Sequence, residues 1–486
     1  MPCDAVLILI TVVSVLCLWF IRIYTKPKHP PLPPGPRGHL DLAQKYGPVF
    51  KLRSGAKTSV VVTSPAVARE ILKTHDVTFA NRDIPATAMI VSYGGLNLAW
   101  SPYGQEWRML RKVCVHRLLS NATLDSFYDL RRREVRQTVR YLSGRAQVGS
   151  PVNLGEQIFL TLLNVMTQML WGATVVGGER ESVASEFKEL LSEIVDLVGR
   201  PNISDFFPGL SRFDIQGLVK QMRGLVQRLD RIFDRVIDQR LRMDGQGERD
   251  GEDFLQFLLK LKDEDETTPL SLNNVKAVLM DMVIGGTQTS SSTIEFAMAE
   301  LINRPELMKK VQQEVDEVVS KGNIVEESHI GKFPYLLAVM KETLRLYPAS
   351  PLLIPHRPSE TTVVAGYTIP KDCKVSFNVW AIHRDPSLWH DPLEFNPSRF
   401  LDKSYDFKGN DYGYLPFGSG RRMCAGVVMA ERMILYNLAT LLHSFDWKVP
   451  DGQRLVVEEK FGPTLCLKDP LVVLPMPRLS DPKLYL

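Results

Sequence analysis

The chain has 486 residues, of which 44% are hydrophobic, so it can bury a large core. Its net charge is +4 with basic and acidic residues interspersed, which argues against a nucleic-acid-binding protein, since such proteins concentrate a basic stripe. The 6 cysteines are scattered without a CxxC pair, so the sequence indicates neither a structural zinc site nor a disulfide framework, and their use fits a reducing compartment.

The N-terminus predicts a membrane anchor. Between Ala5 and Ile21 the only polar side chains are those of Thr11 and Ser14, and basic residues follow from Arg22 onward. About 17 apolar residues is the short end of what a membrane-spanning helix needs. The basic flank predicts that the body of the protein lies on the cytosolic side of the membrane. Because no small-residue cleavage site follows, an uncleaved signal anchor over residues 1–25 is favoured over a removed signal peptide.

The next segment, "KPKHPPLPPGPRG" at residues 26–38, is too rich in proline for a helix or a central strand. It reads as a stiff hinge, either a plain spacer or one that orients the body against the bilayer. Residues 39–486 show no repeat and no dividing linker, so we expect one large, mainly α-helical domain with small β-sheets.

Apolar periodicity predicts the elements of this domain in chain order. After a short helical stretch at Leu40–Lys45, a hairpin joins Val49–Arg53 to Ser59–Thr63 around Ser54-Gly55. Helices are predicted at Gly104–Leu119, Asn121–Ser143, Gly155–Leu170, Ser182–Val198, Ile215–Arg242, Leu272–Asn303, Pro305–Ser320, Pro334–Leu346 and Gly426–Ser444. A second β region covers Thr362–Trp380 with turns at Gly366 and Lys371-Asp372, and short strands lie within Leu455–Leu474. Residues 243–253 and 262–269 read as charged loops.

The stretch "FGSGRRMCAG", residues 417–426, places one thiol in a positive environment. Cys424 lies at the start of a predicted helix, whose N-terminus stabilises a thiolate, and Arg421 and Arg422 add positive charge. A phosphate-binding loop would need a following Gly-Lys-Ser/Thr sequence. A phosphatase-type thiol would need an arginine six residues further on, and a nucleophilic thiol would need a nearby histidine. None of these is present, which leaves a soft metal ligand or an inert buried cysteine.

The loop also resembles a known family. Phe417, Gly420, Arg422, Cys424 and Gly426 match the FxxGxRxCxG haem loop of the cytochrome P450 monooxygenases. The resemblance implies a P450 fold, haem b (iron protoporphyrin IX) bound in this loop, the Cys424 thiolate as axial ligand of the iron, and Arg422 paired with a haem propionate. It covers most of the chain and is closest to plant endoplasmic-reticulum members, in the branch with flavonoid hydroxylases and terpene oxygenases.

A second motif, "KETLRLYP" at residues 341–348, places Glu342 and Arg345 on one helix face. Alone, such a pair is usually an exposed ion pair of small energy. The resemblance makes it the ExxR pair, closed by Arg399 of "FNPSRF". We assign these three residues to core structure and haem retention.

A third motif, "VIGGTQTSSS" at residues 283–292, lies inside a long predicted helix. Gly285 and Gly286 each cost about 1 kcal/mol in mid-helix, so a reason is expected: a kink, a close helix crossing, or a functional groove. The resemblance implies an oxygen-binding groove in which the Thr289 hydroxyl hydrogen-bonds dioxygen. Family members usually carry Asp or Glu before this threonine, whereas this chain carries Gln288. An amide orients water but does not titrate, so we expect leakier turnover with more peroxide released.

Three further residues are candidates for the haem edge by resemblance alone. "EWRMLRK" matches the WxxxR pattern with Trp107 and Arg111, and "PHRP" supplies Arg357. Arginine suits carboxylates because its planar fork bonds both oxygens. Without the family context, all three read as ordinary core or surface residues.

The resemblance also leaves gaps and implies partners. Between "PPGPRG" and "LAQKYGPVF" only three residues intervene where the family has roughly twenty more, so we expect a shortened segment near the membrane.

No GxGxxG motif follows a strand, so the sequence shows no dinucleotide-binding site of its own. The resemblance implies that electrons come from a membrane-bound NADPH–cytochrome P450 reductase. Candidate contacts for its acidic face are Arg108, Lys112 and Arg421, which could equally be solvated surface charges.

The expected activity is insertion of one oxygen atom into a small lipophilic plant metabolite, terpenoid or phenolic, by a cytosolic domain on the endoplasmic-reticulum membrane. Alternatives are a haem-thiolate isomerase or dehydratase without a reductase, and a shortened chain that retains haem poorly. By analogy the substrate pocket is lined from mostly apolar segments. These segments are Ile84–Asn97, Met280–Ile284, Ala349–Leu353 and Phe461–Leu465.

Overall fold

The computed structural model describes residues 47–172, 180–244, 253–264, 270–401, 405–450 and 454–486. The predicted anchor at 1–25, the hinge at 26–38 and the stretch Leu40–Lys45 lie outside these residues. Across the described ranges, no helix combines the length and apolarity that crossing a bilayer would take.

Helices build most of the described chain. The α-helices are Pro65–Arg69, Ala86–Val91, Gln105–Val113, Asn121–Ser126, Tyr128–Gln147, Leu154–Trp171, Arg180–Gly199, Ile203–Phe206, Leu218–Asp244, Phe254–Glu264, Leu272–Asn303, Pro305–Val319, Pro334–Leu346, Val379–Ile382 and Val427–Ser444. Two of them continue as π-turns, at Glu70–Thr74 and Cys114–Leu118, and 3₁₀ turns lie at Pro208–Phe213, Glu327–Lys332, Pro397–Phe400, Gly420–Arg422 and Pro482–Tyr485.

The helix Leu272–Asn303, called the central helix below, runs through the core. It begins with a capping box: the Ser271 hydroxyl accepts from the Asn274 backbone N–H, and the Asn274 side chain accepts from the Ser271 N–H. It packs against Leu154–Trp171 on one side and Val427–Ser444 on the other. Because all three helices are largely buried, the functional residues of the central helix are held rigidly.

Short strands complete the fold in four small sheets. The strands are β1 Val49–Ser54, β2 Lys57–Val62, β3 Asn81–Arg82, β4 Val152–Asn153, β5 His356–Arg357, β6 Thr362–Val364, β7 Tyr367–Ile369, β8 Lys374–Phe377, β9 Phe445–Lys448, β10 Glu459–Lys460, β11 Cys466–Leu467 and β12 Val472–Pro477. The largest sheet has the order β1-β2-β8-β5-β3, and the others are β4-β12-β9, β6-β7 and β10-β11. The five-stranded sheet covers a second, smaller hydrophobic cluster beside the main helical core.

The prediction of a mainly helical fold with small sheets is confirmed, with local corrections. The predicted helix Asn121–Ser143 is two helices, because the backbone at Phe127 leaves the helical region with ψ 14°. Residues 262–264 are not loop but the end of the helix Phe254–Glu264, which the charged flanks concealed. The β region predicted to reach Trp380 ends at Phe377, where Asn378 caps the short helix Val379–Ile382.

Candidate active site

A cavity of about 400 Å³ lies between the central helix and the cysteine loop. It has three parts: the Cys424 thiol and Phe417 at one wall, a cluster of arginines at one edge, and a mostly apolar region beyond Thr289. A cavity of this size, apolar with a few convergent polar groups, is the usual form of a cofactor or small-molecule site.

The cysteine loop turns sharply so that the thiol faces the cavity. Gly418 and Gly420 have φ of 72° and 68°, which L-residues rarely adopt, and a Cβ on Gly420 would lie 2.5 Å from the Leu72 carbonyl oxygen. The Cys424 N–H donates to the Phe417 carbonyl at 3.0 Å, and its Sγ accepts from the Gly426 N–H at 3.3 Å. Glycine is therefore required for this turn.

The charge around the thiol differs from the prediction. The side chain of Arg421 turns outward to Asp76 and Tyr103, and that of Arg422 is directed to backbone carbonyls at the cavity edge. The charge that acts on the thiol is that of Arg111. Burial raises the pKa of the Cys424 thiol, while the Gly426 N–H and the charge of Arg111 lower it. Since the thiol opens onto the cavity and not the outer surface, its surroundings suit a ligand within the cavity.

Three guanidinium groups converge at the cavity edge. Arg82 donates to the Ile354 carbonyl at 2.6 Å, and Arg422 donates to the Ala80 carbonyl at 2.6 Å and lies 4.4 Å from the centre of the Trp107 ring. Burial lowers the pKa of Arg82, of Arg111 and of Arg422, the last to about 10, and the arginines lower the pKa of Arg82 and Arg422 further by mutual repulsion.

This cluster carries uncompensated positive charge. Within the part of the chain that the structure describes, none of the three guanidinium groups is paired with a carboxylate. Buried like charges without a counter-ion are costly, so the cluster calls for an anionic ligand at the cavity edge. The two carboxylates of a porphyrin would meet this need, with the thiol placed for its metal.

The central helix forms the opposite wall. Gly285, Gly286 and Thr289 line the cavity, and the Thr289 hydroxyl donates to the Gly285 carbonyl at 2.8 Å. A Cβ on Gly286 would lie 2.8 Å from Sδ of Met166 in the neighbouring helix, whereas one on Gly285 would meet nothing within 4 Å. The second glycine therefore permits a close helix crossing, and the first keeps the wall beside Thr289 open.

Comparison with known proteins decides the family. The sequence profile of the family described as "Cytochrome P450" matches residues 37–475. The chain is a cytochrome P450. It is a haem-thiolate monooxygenase that, as is typical of the family, draws electrons from NADPH through a reductase.

Named relatives of this P450 are plant enzymes. It is 42% identical to flavonoid 3'-monooxygenase CYP75B137 of Crocosmia x crocosmiiflora over 93% of each chain, and 39% identical to flavonoid 3'-monooxygenase of Petunia hybrida over 98% of each. It is 37% identical to cytochrome P450 monooxygenase 76AD131 of Lophophora williamsii, over 92% of this chain and 93% of the relative. The branch predicted from the motifs, near flavonoid hydroxylases and terpene oxygenases, is thereby confirmed.

A solved structure supports the fold. A zebrafish cytochrome P450 with progesterone superposes with a TM-score of 0.76 at 24% identity, covering 92% of this chain and 100% of that one. The Petunia alignment spans 508 positions, more than the 486 residues of this P450, so that relative contains residues absent here. That they are missing after Gly38 stays a prediction.

The residue before the groove threonine does not face the cavity of this P450. The Gln288 side chain is 7% exposed and points to Ser192 and Cys466, with Nε2 at 3.4 Å from Oγ and 3.6 Å from Sγ. Among the described residues, its buried Oε1 has no hydrogen-bond partner. The prediction that Gln288 orients water for proton delivery beside Thr289 therefore needs correction, because the central helix turns this side chain away from the cavity.

The haem-edge prediction for Arg357 also needs correction. Arg357 is half exposed and pairs with Asp372 at 3.5 Å, and the cavity is lined instead by its neighbour His356, whose Nδ1 lies 2.8 Å from the Phe79 carbonyl. Adjacent strand residues face opposite sides, so only one of the two can face inward. Burial and the charges of Arg82 and Arg422 lower the pKa of His356, which keeps the imidazole neutral.

Sequence reasoning missed Arg82, which lies in the segment "VTFANRD" at residues 77–83. The other two edge candidates do line the cavity: the Trp107 indole N–H donates to the Leu98 carbonyl at 3.0 Å, and Arg111 lies 5.7 Å from the Trp107 ring centre. No local pattern pointed to Arg82, because its position follows from the antiparallel pairing of β3 with β5, which places Arg82 opposite His356.

The ExxR residues meet in the core, away from the cavity. Arg345 donates to both carboxylate oxygens of Glu342, at 2.7 and 2.8 Å, and Arg399 reaches the same carboxylate at 3.1 Å. Arg345 also donates to the carbonyl oxygens of His383 and Pro392, each at 2.7 Å. The trio thus joins the helix Pro334–Leu346 to residues 383–399, which precede the cysteine loop in the chain.

Proposed function

We propose that this P450 hydroxylates a plant phenolic compound of the flavonoid type. The observation that carries the proposal is the apolar wall beyond Thr289, together with relatives near 40% identity that are named flavonoid 3'-monooxygenases. The wall includes the thioethers of Met166 and Met280 and the side chains of Ile194 and Ile284. Methionine sulfur makes favourable contacts with aromatic rings and adapts to a flat ligand.

Of the four predicted wall segments, each contributes residues to the cavity. Asn97 comes from the first, Met280 from the second, Leu353 from the third and Pro463 from the fourth. These segments are far apart in sequence, so the shape of the ligand is set by how they pack. The residues that line the cavity on this side are mostly apolar, which suits a lipophilic substrate.

At the wall formed by the cysteine loop, the thiolate of Cys424 would bind the haem iron, within a loop that Phe417 and Gly426 complete. The carboxylate edge of the cofactor is proposed to be held by the residues at the cavity edge, which are Trp107, Arg111, Arg422, Arg82 and His356. When bound, haem supplies the activation of oxygen, and the thiolate donates electron density to the iron. The proposed role of Glu342, Arg345 and Arg399 is structural, since none of them lines the cavity.

On the distal side, Thr289 is the proposed proton-holding group. Its hydroxyl both donates to the Gly285 carbonyl and faces the cavity, so it can hold a proton beside the reacting oxygen. Gly285 leaves space next to that hydroxyl because it has no side chain. Gln288 is proposed to act only indirectly, through the packing of its amide behind the helix.

The proposed electron donor is an NADPH–cytochrome P450 reductase that docks on the face behind the cysteine loop. Arg108 and Lys112 are exposed there and can present positive charge to an acidic partner. Arg421 is a weaker candidate than the sequence suggested, because its guanidinium is already paired with Asp76. We propose that the catalytic domain sits on the cytosolic side of the endoplasmic-reticulum membrane through the anchor predicted at residues 1–25.

Co-expression with the reductase in yeast microsomes tests the proposal. A flavonoid with one hydroxyl on its B ring should give a product heavier by one oxygen atom, and a monoterpene alcohol should give little. Product formation must require both NADPH and O₂. Product without NADPH would support an isomerase or dehydratase, and oxidation of the terpene alone would contradict the phenolic substrate. Absence of a reduced carbon-monoxide difference band would indicate a chain that does not retain haem.

A further inference from the structure

One carboxylate in the cavity wall has no part in the proposed mechanism. Asp281 lies on the central helix eight residues, or about 12 Å, before Thr289. Its Oδ1 accepts from Nδ2 of Asn97 at 2.6 Å, and its Oδ2 accepts from the Ala99 N–H at 3.0 Å. Both oxygens are therefore engaged by residues 97–101, which we call the cradle loop.

The cradle loop in turn holds the residues of the cavity edge through its carbonyl groups. The Leu98 carbonyl accepts from Nε1 of Trp107 at 3.0 Å and from Nη1 of Arg422 at 3.2 Å. The Ala99 carbonyl accepts from Nε of Arg82 at 3.3 Å, and that of Ser101 accepts from Nη2 of Arg422. Three carbonyls of one short loop thus orient two of the three clustered arginines.

The loop depends on Asp281 for its position. It contains no helix or strand of its own. Its internal hydrogen bonds run to Asn97, from the Trp100 N–H to Oδ1 at 2.9 Å and from the Ser101 N–H to the Asn97 carbonyl at 3.1 Å. Asn97 therefore links the loop to the central helix with its amide nitrogen and shapes the loop with its amide oxygen. A buried network of this kind holds its members rigidly only while every bond is made.

We propose that Asp281 is a positioning residue, whose carboxylate holds the cradle loop and thereby aims Arg82 and Arg422 at the anionic edge of the cofactor. The inference rests on the proposed function in one respect, which is that Arg82 and Arg422 bind the anionic edge of the cofactor. It connects the substrate wall of the cavity to the cofactor edge through one side chain, since Asp281 itself lines the cavity.

The charge of Asp281 should change near neutral pH. Burial raises its pKa to about 7, against the opposing effect of hydrogen bonds from Asn97, Leu98 and Ala99. Its ionisable neighbour is the buried Cys114 thiol, whose pKa burial and Asp281 raise to about 12, so that this thiol stays neutral. Hydrogen bonds to a charged carboxylate are stronger than those to a neutral one. The loop should therefore be held more loosely as the pH falls through 7.

Two measurements on the holoenzyme test the proposal: hydrogen–deuterium exchange of peptides covering residues 94–103, and the rate of haem transfer to excess apomyoglobin, each at pH 6 and pH 8. In Asp281→Asn we expect faster exchange of the loop and haem release faster by about tenfold, the effect of losing a hydrogen bond to a charged group. The wild type should release haem faster at pH 6 than at pH 8. The variant should lose that difference.

Asn97→Ala removes the donor of the hydrogen bond between Asn97 and Asp281. This second variant tests the same contact if Asp281→Asn does not fold. The double variant should loosen the loop no more than Asp281→Asn alone, because the two side chains act as one unit. Asp238→Asn, at an exposed position on another helix, is the matched control and should change neither readout.

The outcomes separate this inference from the proposed function. Unchanged loop exchange in both single variants would overturn it. Faster loop exchange with unchanged haem release would also overturn it, because the loop would then not aim the arginines. A wild type with normal haem spectra that oxidises no phenolic would contradict the proposed substrate and leave the Asp281 result standing.

Discussion

Arg345 donates a hydrogen bond to each carboxylate oxygen of Glu342, and both side chains are fully buried, with 0% exposure each. Arg399 and the Asn396 N–H add two more donors to the same carboxylate, at 3.1 and 2.8 Å. The charge of Glu342 is thus matched in a dry site, and the remaining donors of Arg345 reach carbonyls near the cysteine loop. Removing either partner should leave an uncompensated buried charge.

Glu342→Gln should lower the free energy of unfolding by about 3–5 kcal/mol, the cost of breaking one partner of a buried pair. Arg399→Ala should cost less, about 1.5–3 kcal/mol, the value of a hydrogen bond to a charged group, because Arg399 remains partly solvated. Urea denaturation followed by circular dichroism measures both. The exposed Glu317→Gln is the control, and equal effects at positions 342 and 317 would contradict the assignment.

Cys424→Ser should abolish the reduced carbon-monoxide difference band while the circular dichroism spectrum stays unchanged. The thiol faces the cavity and accepts a hydrogen bond from the Gly426 N–H, so its loss should affect the cofactor more than the fold. Cys373→Ala, a buried cysteine far from the cavity, should keep the band. An unaltered Soret spectrum with full activity in Cys424→Ser would remove Cys424 as the ligand.

The two glycines of the central helix should respond differently to alanine. Gly285→Ala should raise stability by about 1 kcal/mol through helix propensity, because its new Cβ meets nothing within 4 Å. Gly286→Ala should gain less or lose stability, since its Cβ would press on Sδ of Met166 at 2.8 Å. Thermal unfolding of the pair measures the difference. Equal shifts would show that the helix crossing adjusts without strain.

Gln288→Asp should lower the fraction of NADPH electrons released as peroxide only slightly, although a carboxyl group can exchange protons where the amide cannot. The side chain lies behind the helix and near Ser192, so the gain should be modest. Gln288→Asn is the matched control, because the asparagine side chain has the same length as that of aspartate but no titratable group. Equal peroxide yields in the Asp and Asn variants would show that another group carries the protons.

His383 should make the fold sensitive to acid. It is buried between the Arg345 carbonyl, at 3.2 Å from Nδ1, and the Leu415 N–H, at 2.8 Å from Nε2. Burial and the charge of Arg345 lower its pKa from 6.5 to about 3. Below about pH 6.5 the imidazole is therefore protonated in the unfolded chain but stays neutral in the folded one. The free energy of unfolding falls as the pH drops from about 6.5 toward 3.

The expected loss from His383 between pH 7 and pH 5 is about 2 kcal/mol. His383→Gln should reduce the difference between the urea unfolding free energies at these two pH values by that amount, whatever its own effect on stability. The exposed His390→Gln should leave the difference unchanged. A pH difference in His383→Gln equal to that of the wild type would contradict the neutral buried imidazole.

Local patterns predicted the parts of the site that lie within one element. The spacing of Glu342 and Arg345 already places them on one helix face, and the Gly-rich stretch before Cys424 already demands a tight turn. Periodicity predicted the central helix with its bounds at Leu272 and Asn303. It missed short helices such as Ala86–Val91, because six residues are too few for an apolar period to show.

What the sequence by itself determined is the chemistry of the cysteine loop and the helical frame that carries it, because both depend on neighbours along the chain. The tertiary structure alone decided that His356 and not Arg357 faces the cavity, that Gln288 turns behind the helix, and that Arg82 joins Arg422 at the edge. These outcomes depend on strand pairing and helix rotation, which bring together residues hundreds of positions apart. Such pairings are set by the packing of the whole core, which no local pattern contains.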